Sequence, residues 1–144
     1  MSYLAERRVE EKERRRAEMV DAAEELYAAV GWDDVTMERV AKSARLSRAL
    51  LYVYFRDKND LLLAITERAL LELRERFVAA AAAHPLGIDQ VQAIGRAYVQ
   101  FQQEKPYRFD ACSRFHAHQA VGQPAEDACA AAGDAQLPTR NALA

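Results

Sequence analysis

Cys112 and His116 stand one helical turn apart, with His118 close by and Cys129 further on. A thiol beside an imidazole is the pairing that activates a nucleophile or helps hold a transition metal. The rest of either apparatus is missing. The ligands are too few and too scattered for a metal, and no acid is placed to orient the imidazole. No glycine-rich phosphate loop is present. The sequence therefore predicts no enzyme, no metal and no cofactor. What remains for Cys112 and His116 is an ordinary core, or the wall of a cavity. A second concentration of chemistry lies between Arg39 and Lys58, where six Lys/Arg face a single acid, Asp57. That local excess of about +5 sits in a chain whose formal net charge is −2. A confined positive patch suits a polyanionic partner.

The elements that carry this patch are short. Thr36 is placed to cap a helix, with Val35 and Val40 as a hydrophobic staple around it. Glu38 falls in the first turn, where the helix dipole favours an anion. Val40, Ala41 and Ala44 recur at helical spacing. Arg45-Leu46 breaks the run, and Ser47 offers a second cap with Leu46 and Leu51 as its staple. Leu51, Tyr54 and Phe55 then share one inward face. Arg48, Ala49, Leu50, Tyr52 and Val53 are left for the other. Asp57 caps a third helix, with Asp60 three residues on. Two short helices about a tight turn, the second with a basic outer face, predict a helix-turn-helix for the DNA major groove.

These residues resemble the DNA-binding domain of TetR-family transcriptional repressors. The resemblance rests on the helix from Thr36 to Ala44, Leu46-Ser47, Leu51-Tyr52-x-Tyr54-Phe55 and Asp57-Lys58-x-x-Leu61-Leu62. It reaches back through Ala22-Ala23-x-x-Leu26-Tyr27 and Gly31-Trp32, covering roughly residues 18–65. The chain departs from the family at Arg45 and Ala49, where glycine is frequent, and at Val53, where histidine is. The resemblance implies that Thr36, Ser47, Tyr52, Tyr54 and Lys58 approach the phosphate backbone. Arg48 is the candidate for a base contact, since a guanidinium can bond guanine O6 and N7 together. Ala49 and Leu50 are candidates to touch a thymine methyl, and Val53 completes the helix face.

Composition sets the outer bounds. A chain of 144 residues, 51% hydrophobic, can bury a core of its own. Two cysteines make no disulfide framework, which points to a reducing cytoplasm. The charged N-terminus carries no signal-peptide pattern, and no apolar run is long enough to span a bilayer. Few Gly and Pro, and no period-2 runs, predict an all-α fold.

Taken in order, residues 1–17 are mostly charged and mixed in sign. They read as a solvated helical extension, or as an arm reaching DNA through Arg14, Arg15 and Arg16. Met19 to Val30 has the pattern of an amphipathic helix ended by Gly31, with Trp32 covering the small core. Residues 57–83 read as one long helix with Leu61, Leu62, Ile65, Ala69, Leu73 and Phe77 along one side. His84-Pro85-Leu86-Gly87 breaks it. Ile88 to Glu104 reads as a helix with Ile88, Val91, Ile94, Tyr98 and Phe101 together, and Pro106 stops it. Tyr107 to Val121 reads as another. Tyr98, Phe101, Phe109, Cys112, Phe115 and His116 then form either a plain packed core or an apolar effector pocket with a few polar points. Ala125 to Ala132 reads as a last short helix before a ragged tail.

The expected organisation is a three-helix DNA-binding head at 1–56, a helical effector-binding body at 57–133 and a disordered tail at 134–144. The resemblance implies a homodimer on a palindromic double-stranded operator, released by a small-molecule effector, although the helices that usually build the dimer are not found before the end of the sequence. The competing expectation is a truncated helical module that pairs with other proteins and no longer binds DNA.

Overall fold

The computed structural model describes residues 2–122. The described residues form six α-helices and one 3-10 turn, with no strand among them. In order these are α1 (Tyr3–Val30), α2 (Met37–Ser43), α3 (Arg48–Tyr54), α4 (Lys58–Ala82), α5 (Gly87–Glu104) and α6 (Pro106–Gly122), with the 3-10 turn at Trp32–Asp34 between α1 and α2. The expected helices at Ala125–Ala132 and the tail after it lie outside the described residues.

Sequence patterns place most boundaries within a residue. Thr36 caps α2 by accepting from the Arg39 backbone N–H at 3.2 Å. Ser47 caps α3 by accepting from Leu50 N–H at 3.1 Å, and Asp57 caps α4 through Asp60 N–H at 2.9 Å. Asp60 reaches back to the Arg56 N–H at 3.0 Å, so that junction is tied twice. Pro106 does stop α5, and it also opens α6 at the one helical position where a missing N–H costs nothing.

The charged segment is the helical extension that its pattern allowed: α1 runs unbroken from Tyr3 rather than starting at Met19, so this segment is its N-terminal half. Alternating Glu with Arg/Lys one turn apart, such as Glu11–Arg15 at 2.9 Å, supports it without a core beneath. The seating of α5 needs correction in part. Phe101 is buried as expected, but Ile88 and Val91 are each 66% exposed, and Ala93 supplies the other buried contact.

The principal core belongs to the head. Met19, Val20, Ala23 and Tyr27 of α1 meet Trp32, Val35, Val40, Ala41, Leu51 and Phe55. Leu61, Leu62, Ala64 and Ile65 of α4 close it, together with Ala111 of α6. The head is therefore completed by residues beyond 56. Further along, α4 and α5 keep Leu70, Leu71, Val78 and Val99 on open surface.

Candidate nucleic-acid interface

The geometry of α3 follows from its two anchors. Leu51 is fully buried and Phe55 nearly so, and the Ser47 cap fixes the entry of the helix. The helical period then turns Arg48, Ala49, Tyr52 and Val53 outward. Val53 is 73% exposed and Tyr52 44%, an unusual display of apolar and aromatic surface on a seven-residue helix. Tyr54 is half-buried against the head core, as its place on the inward face with Leu51 and Phe55 implies. Leu50 is half-buried there too, so it offers only an edge to a partner.

The turn before α3 is built by Arg45, which adopts φ 58°, a left-handed conformation that favours glycine. Leu46 N–H donates to Ala41 O at 2.9 Å and Arg45 N–H to Lys42 O at 3.1 Å. That pair of bonds is a Schellman motif closing α2. A non-glycine residue thus makes this left-handed turn, at a cost in backbone strain of about 1 kcal/mol.

Charge on this face is available. Lys42, Arg45 and Arg48 are exposed, and none pairs with a carboxylate among the described residues. Arg39 instead donates to Asp34 O at 2.8 Å, and Arg56 lies 3.8 Å from Asp60. Thr36 and Ser47 use one lone pair each as caps and keep their hydroxyl hydrogens for an acceptor such as phosphate. The Lys58 ammonium sits over the Trp32 ring, 4.8 Å from its centroid, and donates to Trp32 O at 2.5 Å. Burial lowers its pKa while Asp33 and Asp34 oppose that shift. One of its three donors is thereby committed inside the head.

Behind the interface, α6 is bolted to the head by polar contacts that no spacing rule foresaw. Tyr27 donates to Asp110 at 2.5 Å. Burial, then the Asp110 carboxylate, push that phenol well above its ordinary range, with Arg114 pulling the other way. Arg114 in turn binds Asp110 at 2.8 Å and Asp33 at 3.1 Å. Arg108 makes a two-pronged contact with Glu24 of α1, at 2.9 and 3.2 Å, and also binds Glu72 of α4. Glu72 further accepts from Arg76 and Lys105. Burial alone would raise the Glu72 pKa. Hydrogen bonds from Lys105 and Arg76, and the charges of Lys105 and Arg108, outweigh burial and hold it at about 2.

The six candidate effector residues fall into two groups. Tyr98 stacks edge-on against Phe109 at 5.5 Å and lies 6.4 Å from Phe77, with Phe101 buried beside them under Arg76. Phe115 points elsewhere, into a groove shared with Asp57, Asp60, Leu62 and Leu63. The exposed His116 bonds the Cys112 backbone carbonyl at 2.8 Å. That bond engages Nδ1 with the backbone, not with the thiol. Burial raises the pKa of Cys112, which leaves the thiol neutral. No group of three His, Cys, Asp or Glu is placed to hold a metal among the described residues.

Comparison with known proteins agrees with the helix-turn-helix. Residues 19–65 match the family described as bacterial regulatory proteins, tetR family. An uncharacterized HTH-type transcriptional regulator of Mycobacterium tuberculosis is 36% identical over 101 residues, 68% of this chain and 43% of that protein. The HTH-type transcriptional regulator BetI of Rhizobium meliloti is 36% identical over 92 residues, 64% of this chain and 45% of its own length. The chain thus spans less than half the length of these curated relatives. Among solved structures, a TetR-like regulator from Rhodococcus sp. RHA1 shares the fold with a TM-score of 0.60 at 24% identity, over 74% of this chain and 58% of the other. A TetR family regulator from Marinobacter aquaeolei VT8 gives 0.62 at 20% identity, over 81% and 60%. Residues 19–65 thus form a DNA-binding region of the tetR-family type, and the described helices share the fold of TetR-like regulators.

Proposed function

We propose that this chain is a DNA-binding transcriptional regulator that inserts α3 into the major groove. The observation that carries this reading is the outward face of α3, with Arg48, Ala49, Tyr52 and Val53 exposed on a helix clamped from behind by Leu51 and Phe55. Arg48 reads a guanine, and Ala49 with the edge of Leu50 meets a thymine methyl. Thr36, Ser47, Tyr52 and Tyr54 hold backbone phosphates, and the free donors of Lys58 face one more. Family resemblance supports the remaining features: a homodimer placing two heads about 34 Å apart on a palindromic operator, repression rather than activation, and action in the cytoplasm. A small-molecule effector acts on the body, with the Tyr98–Phe109 corner, Phe101 and Cys112 on one side and Phe115 and His116 on the other. The effector must bind the two states with different affinity to release DNA. Domain limits of 1–56 and 57–133 go with this reading, with α4 serving both.

The test is selection of genomic DNA fragments by the purified protein at two salt concentrations. Enrichment of a palindromic site whose binding weakens with salt supports the proposal. The uncovered apolar face of α4 and α5 favours a second reading, a helical module that pairs with other proteins. A monomer by sedimentation with no salt-sensitive DNA binding selects that alternative.

A further inference from the structure

The N-terminal half of α1 has no core to serve. Every residue from Tyr3 to Arg16 is exposed, yet the helix continues through all of them. At 1.5 Å per residue this adds about 21 Å of rod beyond the packed part. It lies beside the end of α3. The Arg16 guanidinium lies over the Phe55 ring at 5.2 Å, which clips α1 to the end of α3. Arg8, Glu11, Lys12 and Arg15 then line a shallow groove of about 310 Å³ with Tyr54 on its other wall. Arg8, Lys12 and Arg15 recur at i, i+4 and i+7, so they form one stripe along the side of the rod that faces α3. Glu11 is the one acid in that groove, and it is bound to Arg15 at 2.9 Å. Arg8 and Lys12 have no carboxylate partner among the described residues.

We propose that this stripe is a second DNA-contact surface, in which Arg8, Lys12 and Arg15 hold backbone phosphates of duplex flanking the site read by α3. The inference rests on the reading of α3 as a DNA-contacting helix. The stripe spans about 10 Å, a stretch of duplex axis carrying roughly six phosphates, so three cations can each find one. Other uses of a charged rod fit less well. A coiled coil needs apolar residues at heptad spacing, and Tyr3, Leu4 and Val9 supply no such repeat. A membrane-surface helix needs a continuous apolar face, which the charged residues interrupt. The contact is sequence-independent, so it adds affinity, salt dependence and footprint length, not base preference.

The test uses the full chain and a fluorescein-labelled random-sequence duplex, with anisotropy followed from about 50 to 200 mM salt. Arg8→Gln, Lys12→Gln and Arg15→Gln together should lower the slope of log K against log salt by about 2 to 3. The parent should therefore lose about 16- to 64-fold more affinity than the triple variant across that range. Arg7→Gln with Arg14→Gln, on a different face of the same rod, should change the slope by less than about half a unit. Arg8→Lys with Arg15→Lys should keep the parental slope, which separates charge from any loss of helix. A parent that binds duplex while the triple variant keeps its slope overturns this inference alone. So does an Arg7/Arg14 pair that matters as much per residue. A parent that binds no duplex overturns both this inference and the reading of α3. Binding of the rod to phosphatidylserine vesicles, lost in the triple variant while DNA binding is kept, would assign the stripe to a membrane and overturn the inference.

Discussion

Replacing Arg108 with alanine should loosen the attachment of the body to the head. The Arg108 side chain is 14% exposed and touches Glu24 at 9% and Glu72 at 19%, so three helices meet at one guanidinium. Removing one partner of a buried ion pair costs about 3–5 kcal/mol, because the other charge remains out of water. Here both carboxylates retain some compensation. Arg68 lies 3.7 Å from Glu24, while Arg76 and Lys105 bind Glu72. The low end, about 3 kcal/mol, is therefore expected. For a chain of this size it corresponds to a melting temperature lower by about 10 °C. Urea unfolding followed by circular dichroism at neutral pH gives the number, with Arg96→Ala as an exposed control that should stay within about 0.5 kcal/mol. Arg108→Met combined with Glu24→Gln should recover part of the loss, since no charge at that pair is then stranded. If Arg108→Ala unfolds at the same urea concentration as the Arg96 control, the three-helix junction is not what holds α6.

Arg48→Ala should cost about 1–3 kcal/mol of DNA binding and relax preference at one base pair, read by competition between single-base operator variants. Arg45→Gly should raise stability by about 0.5–1 kcal/mol, because glycine adopts φ 58° freely, offset in part by its greater entropy when unfolded; a lower urea midpoint would contradict this. Ser47→Ala should remove the cap at Leu50 N–H and cost about 1 kcal/mol, with a weaker hold on DNA that Ser47→Asn restores in stability alone. Acid should erode the fold through Glu72. Its folded pKa of about 2 lies below the ordinary 4.5, so its contribution is complete above pH 4.5 and is lost as pH falls towards 2. Urea midpoints across that window should fall less steeply in Glu72→Gln, and equal slopes would remove Glu72 from the account.

Local chemistry settled a good deal from the residues alone. Thr36, Ser47 and Asp57 had to be caps because a short polar side chain before an apolar run satisfies orphan backbone donors, and each does so here. The same patterns set the ends of α4 and α5, the inward pair Leu51 and Phe55, and the excess of cations about α3. Charge mixing in residues 1–17 allowed a helical extension or an arm reaching DNA, and it could not tell whether the helix joins Met19 without a break, since ion pairs at helical spacing look the same either way. Apolar spacing in α5 picked out Phe101, but Ile88 and Val91 match the same period and are exposed, while Ala93, which that stripe did not include, is buried.

The sequence by itself determined the helices, their caps and the outward face of α3, because those depend on neighbours three or four residues away. Only the tertiary structure decided that Lys58 turns onto Trp32, that Arg108 joins Glu24 to Glu72, and that the Arg8–Arg15 stripe runs beside Tyr54. Those contacts join residues far apart in the chain, and no local period records which distant partner a charge will meet.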